Sequence, residues 1–271
     1  MLAGKVPLLR TPCSLQETLT QPPFPPRPFL PAIFLLVLFH SATTHTDLLL
    51  RARHLQIPTR TIHNASILTA IASTGLQLYS FGQTLSMVFF TPTWRPTSWH
   101  DRLQENWALG LHTLILLDIK VKEIDLHQLA LRGSCRRILL DDEAAESQGV
   151  GEYAKPRFMT VSECALQMLD VSRDIKADQE GQESTSSFPS PTLCCSPNTL
   201  VVGVARLGTD SQRIVSGTLE QLAKIDLGEP LHSLVVIGRK CHELERDFVR
   251  EFAVDTVSWD EVWQNGGYGT M

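Results

Sequence analysis

Three histidines stand in turns that could hold a ligand: His45 in Ser41-Ala42-Thr43-Thr44-His45, His63 in His63-Asn64-Ala65-Ser66-Ile67, and His232 closing Gly228-Glu229-Pro230-Leu231-His232. A polar side chain in such a place either meets a ligand or satisfies the turn's own backbone, and both readings stay open for each. The familiar catalytic spacings are absent. There is no G-x-S-x-G elbow, no phosphate-binding P-loop, no H-E-x-x-H and no G-x-G-x-x-G after a strand. Chemistry carried by a cofactor remains, with the protein supplying position and electrostatics, and no catalytic residue is singled out. Cys13, Cys135, Cys164, Cys194, Cys195 and Cys241 contain no C-x-x-C pair and no regular spacing. Neither a metal set nor a disulfide framework is therefore expected, and a reducing compartment such as the cytoplasm fits. Each cysteine reads as a buried small hydrophobe.

Those turns need strands and helices to position them. Residues 32–39 form an apolar run leading into the first turn, and Thr46-Asp47 opens a helix to about Leu55, capped by Thr44 or Thr46 and ended by Pro58. Residues 59–63 read as a short strand, and Asn64 or Ser66 caps a helix over 67–74 that Gly75 stops. Strand, turn and helix in repetition is the rhythm of a parallel sheet. Further strands are expected over 83–90, 112–118, 199–206 and the run LVVIG. Helices are expected over 97–109, 160–170, the whole of SQRIVSGTLEQLAKI, and 241–252, with the tail NGGYGTM loose. Open α/β sheets take their ligands outside the carboxyl ends of strands. The turns SATTH, HNASI, ARLG and GEPLH, with the strand end LLD, are thus the candidate site.

Composition narrows the classes. The chain has 271 residues, 43% of them hydrophobic and 20% charged, the mix of an ordinary globular protein with room for two cores. A formal charge of −5 gives no footprint for nucleic acid. The apolar run 29–39 falls well short of the ~20 residues a membrane-spanning helix needs and reads as a buried strand, so no membrane partner is expected. The domain reading is a proline-rich segment without a fold of its own at 1–30, the remnant of an N-terminal α/β domain at 31–110, and a C-terminal α/β domain at 111–271 with a mobile insertion at about 176–198.

The blocks ATTHTDLLLRARHLQIPTRTIHNASILTAIASTGLQLYSFGQT, TWRP, LHTLILLDIKVKE, KPRFMTV, VGVARLGTDSQRI and DLGEPLHSLVVIG follow one another over residues 42–238. In that order they resemble the diphthine methyl ester synthases, a branch of the S-adenosylmethionine-dependent tetrapyrrole-methylase-like methyltransferases. The resemblance implies two α/β domains with S-adenosyl-L-methionine in the cleft between them, and commonly a homodimer. It implies as substrate the diphthamide precursor, a modified histidine of translation elongation factor 2. Carried over by position, the cofactor contacts are Ser66, Ile67, Leu117, Leu207 and His232, mainly through backbone and shape. The family places a Gly-Asp-Pro-Phe-Gly loop before ATTH, whereas this chain has Val37-Leu38-Phe39-His40-Ser41 there. Leu38 stands for the Asp and Ser41 for a glycine, so the N-terminal domain is expected to be incomplete. A second reading is a chain that only binds the elongation factor or an intact partner.

Overall fold

Leu-Val-Val-Gly-Val-Ala, the strand β5 (Leu200–Ala205), has every residue buried. A run with no solvent face must be covered on both sides. It shares one sheet with β1 (Leu85–Met87), β2 (Thr113–Leu117), β6 (Arg213–Thr218) and β7 (His232–Val236), in the order β1-β2-β7-β5-β6. A separate two-stranded ribbon joins β3 (Ile119–Lys120) to β4 (Arg157–Phe158). The computed structural model describes residues 43–59, 66–121, 123, 154–180 and 193–269. The chain divides into two units, Met1–Asn64 and Ala65–Met271, and the sheet lies wholly in the second.

In the first unit the described element is the helix α1 (Thr43–His54). It starts earlier than the sequence suggests, so Thr44 and Thr46 lie inside it rather than at its N-cap position. Its exposed Asp47–Arg51 pair, 2.8 Å apart at i,i+4, is worth a few tenths of a kcal/mol at most. The strands expected over 32–39 and 59–63 lie, almost entirely, outside the described residues.

The sheet's two faces are read off the alternation of its strands. Val201, Ala205, Leu234 and Ile115 point to one face, against Cys164, Ala165 and Met168 of α4 (Val161–Glu180) and Trp99 and Leu103 of α3 (Ser98–Leu109). Leu200, Val202, Val204 and Val235 point to the other. That side is closed by Ile71, by Val249 of α6 (Glu243–Arg250), and by Trp259 and Trp263 of α7 (Thr256–Asn265). Gly203 sits close beneath Val161 of α4 and Leu222: a Cβ there would lie 3.0 Å from the first and 3.1 Å from the second.

The sheet is not the parallel one that the strand-helix rhythm suggests. Only β1 and β2 run parallel; β2–β7, β7–β5 and β5–β6 are antiparallel. The expected helix over SQRIVSGTLEQLAKI is also corrected. Its first half is β6, hydrogen-bonded along the whole of β5, and only Leu219–Leu222 (α5) is helical. The branched side chains of Ile214 and Val215 fit a pleated strand better than a helix. Thr218 and Gln221 close a capping box at the junction.

Two further segments are more ordered than expected. Helix α4 runs on to Glu180, and Leu193–Cys195 forms a 3-10 turn whose two cysteines are buried, so both ends of the insertion placed at 176–198 are structured. The tail is anchored as well. Tyr268 is buried, stacks on Trp263 at 5.2 Å, and its hydroxyl accepts the Leu200 amide at 2.9 Å. The Gly269 amide adds a hydrogen bond to the Arg239 carbonyl at 2.8 Å, so a glycine-rich sequence conceals an anchored segment.

Candidate functional site

Ser66 begins the site. With φ −140° and ψ 143° it is the N-cap of α2 (Ile67–Ala70), and its Oγ accepts the Leu68 amide at 3.2 Å. A 3-10 turn continues the helix through Thr74 until Gly75, at φ 86°, reverses the chain. Gly75 needs that left-handed geometry, which costs glycine nothing. Ser66 and Ile67 are therefore fixed by a short capped helix, as its sequence suggests.

Antiparallel pairing brings the other turns to the same edge. Ala205, the last residue of β5, pairs with His232, the first of β7, and Leu116 near the end of β2 pairs with Ser233. GEPLH, the turn that leads into β7, enters this edge at that strand's amino end rather than after a carboxyl end. Running against both neighbours, β7 can reach this edge only with its start.

Here lies a cavity of about 770 Å³, within the range of small-molecule and cofactor sites. Ser66, Ile67, Leu117, Leu207 and His232 all line it, so the structure brings together the five residues drawn from four separate stretches of sequence. His45 and His63 lie outside what the structure describes at side-chain level. The walls are mostly apolar, and the polar groups among them include the Ser66, Thr209 and Ser211 hydroxyls.

Arg206 is the lining residue that sequence reasoning passed over. It follows β5 at φ 51°, a left-handed conformation rare outside glycine. Its Nε donates to the Ser211 carbonyl at 3.1 Å, one terminal nitrogen donates to the Leu227 carbonyl at 3.1 Å, and the other to the Glu229 carbonyl. Its own amide donates to the Leu231 carbonyl at 3.0 Å. One guanidinium thus ties ARLG to GEPLH. A planar fork of donors suits this and a lysine would not. The only signal in sequence was an arginine between an apolar strand and a glycine turn.

His232 is internally committed. Its Nε2 faces the Glu229 carbonyl at 2.9 Å, and a carbonyl can only accept, so Nε2 carries the proton. Nδ1 then accepts the Val161 amide at 3.4 Å, at the start of α4. The ring positions two elements, and what it leaves to a ligand is backbone and surface.

A second polar set lies apart from the cavity. Glu245 is 2% exposed and accepts the Gln77 and His242 amides, both at 2.7 Å. His112 accepts the Gly238 amide on Nδ1 at 2.9 Å, so Nε2 carries its proton and faces Glu245 at 3.4 Å. Burial alone would push the Glu245 carboxyl up; the His112 ring and the two amides outweigh it and hold the group at about 2. All these lone pairs are spent on one another, which is structural work.

No family model matches the chain. It is 50% identical over 229 residues to the diphthine methyl ester synthase of Emericella nidulans, covering 84% of this chain and 69% of that protein. To the Saccharomyces cerevisiae diphthine methyl ester synthase it is 47% identical over 214 residues, 79% of this chain and 61% of the relative. Among solved structures, an Entamoeba histolytica protein assigned as a diphthine synthase superposes with a TM-score of 0.58 at 32% identity, over 79% of this chain and 67% of that one. A second diphthine synthase structure gives 0.54 at 26% identity, over 82% and 64%. With half of its aligned residues shared over two thirds of a curated relative, and the α/β fold of the solved ones, the chain belongs to the diphthine methyl ester synthase family.

Proposed function

We propose that this chain, by family a methyltransferase of diphthamide biosynthesis, takes its methyl group from S-adenosyl-L-methionine bound in the cavity at the edge of the sheet. The methyl acceptor is the diphthamide precursor, a modified histidine of translation elongation factor 2. The observation that carries the reading is that Ser66, Ile67, Leu117, Leu207 and His232 line one cavity of about 770 Å³. The residues present suit the cofactor. Apolar walls from Ile67, Leu117 and Leu207 fit a purine face, while the main chain and the Thr209 and Ser211 hydroxyls supply hydrogen bonds to its polar ends. Among the described residues the lining contains no carboxylate.

When bound, the cofactor supplies a sulfonium methyl that is already electrophilic. The protein's work is then to bind and to align, which is where proximity contributes most. Ser66 fixes the first turn of α2, Arg206 holds the ARLG and GEPLH turns in register, and His232 fixes the GEPLH turn to the start of α4. None of the lining residues is assigned as a general base, because an amine or carboxylate acceptor aligned with the methyl needs none. The reading places the protein in the cytoplasm with the elongation factor, as a homodimer. No described helix is long and apolar enough to cross a membrane.

Incubating the full chain with a methyl-labelled cofactor and elongation factor carrying the precursor tests this. Label on the elongation factor, lost when the modified histidine is replaced, is the expected result. Saturable binding of the elongation factor without transfer would overturn it in favour of a binding role.

A further inference from the structure

His100, Cys194 and Cys195 meet inside the covered face of the sheet, away from the cavity. His100 stands in the first turn of α3, and the two cysteines close the 3-10 turn Leu193–Cys195. None is more than 4% exposed. Cys194 Sγ lies 3.8 Å from His100 Nε2 and 3.9 Å from Cys195 Sγ, and the three donor atoms all lie within 4.8 Å of one another. Adjacent residues of a helical turn do not normally face each other. The Cys194 thiol is hydrogen-bonded to both the His100 ring and the Cys195 sulfur, so the three are held as a polar set and not only as small apolar groups.

We propose that His100, Cys194 and Cys195 form a binding site for a thiophilic divalent cation of closed d shell, zinc above all. Zinc bonds sulfur at about 2.3 Å and imidazole nitrogen at about 2.0–2.1 Å, which in a tetrahedron separates two sulfurs by about 3.8 Å and a sulfur from a nitrogen by about 3.6 Å. The separations of 3.9 and 3.8 Å need shifts of a few tenths of an ångström, and the Cys195–His100 pair, within 4.8 Å, closes by about an ångström at most. Charge fits too. Two thiols give up their protons to solvent as the ion enters, and the resulting thiolates cancel its double charge while a neutral imidazole adds none. The filled site is neutral, as an apolar surround of Trp99, Leu103 and Met168 requires.

The contrast with His112, Cys241 and Glu245, also within 4.8 Å of one another, is informative. There the imidazole and carboxylate are already engaged with each other and with three backbone amides. In the His100 cluster the donor atoms face one another, with Cys194 Sγ between the ring nitrogen and the second thiol. An ion here would join α3 to a turn 94 residues further along the chain, a structural staple rather than part of methyl transfer.

Elemental analysis of the tag-free full chain, purified without chelator, should find about one equivalent of zinc. Cobalt(II) added to chelator-stripped protein should give the thiolate charge-transfer band and tetrahedral ligand-field bands. Cys194→Ser and Cys195→Ser should each lose most of that spectrum, and Cys241→Ser should keep it. Wild-type protein with no bound metal and no cobalt spectrum overturns the proposal, whether or not the variants fold. So does an unchanged spectrum in the folded Cys194→Ser, Cys195→Ser double variant, or a mass two hydrogens short with a disulfide joining the pair.

Discussion

Arg206 forms no ion pair with a carboxylate among the described residues; the hydrogen bonds of its guanidinium end on carbonyls and on the Ser211 hydroxyl. Its removal would leave the Leu227 and Glu229 carbonyls without this donor and free two turns to move apart. Arg206→Ala is expected to weaken cofactor binding tenfold or more, about 1.4 kcal/mol, while the circular-dichroism spectrum stays native. Arg206→Lys should recover little, because a point charge cannot span three carbonyls. Calorimetric titration of each variant reads both outcomes. Glu245 makes a different prediction. Its carboxyl is held at about 2 in the folded protein against an ordinary 4.5. A depressed folded value means that the stabilisation is complete above about 4.5 and is lost as pH falls through about 2. Urea denaturation across that window should show stability dropping, and Glu245→Gln should flatten that part of the curve.

Elements, rather than single contacts, decide how the tail and the sheet hold together. The Tyr268 hydroxyl is the partner of the Leu200 amide at the start of the most buried strand. Tyr268→Phe keeps the stacking on Trp263 and loses that acceptor, leaving a buried donor unpaired at about 1–3 kcal/mol. Thermal or urea denaturation measures it, and an unchanged midpoint would show that the tail does not brace β5. Gly203 tests the opposite face. An added methyl would meet the side chains of Val161, Leu222 and Leu227 at 3.0 to 3.2 Å, so Gly203→Ala should destabilise by about 1–3 kcal/mol through overpacking between β5 and α4.

At the scale of the whole second unit, cavity and stability are coupled by mass action. S-adenosyl-L-methionine at about a hundred times its dissociation constant should stabilise the chain by about 2.7 kcal/mol, seen as a rise in melting temperature. Leu207→Met should keep that rise and Leu207→Asp should abolish it. Much of this unit was legible in the sequence. The strands Thr113–Leu117 and Leu200–Ala205 announce themselves as apolar runs, and Ser66 and Gly75 bracket their helix through capping chemistry that is local. The five cavity residues came from resemblance, and nothing in their local pattern says that they meet. Strand direction was not legible, because an apolar run reads the same from either end and only the partner strand fixes its sense. The convergence of His100 with Cys194 was hidden for the same reason: it is a contact across 94 residues, with no spacing to betray it.

The reversed entry of β7 has a practical consequence. The turn before this strand lines the cavity, while the chain leaving it reaches the sheet's opposite edge, where the Lys240 amide donates to the Gly110 carbonyl at 3.1 Å. Five strand residues at about 3.3 Å each keep the two edges roughly 16 Å apart. Lys240 is exposed, so a biosensor surface coupled through that position would present the cavity mouth to the flowing solution, whereas coupling through Leu231 would bury it against the chip.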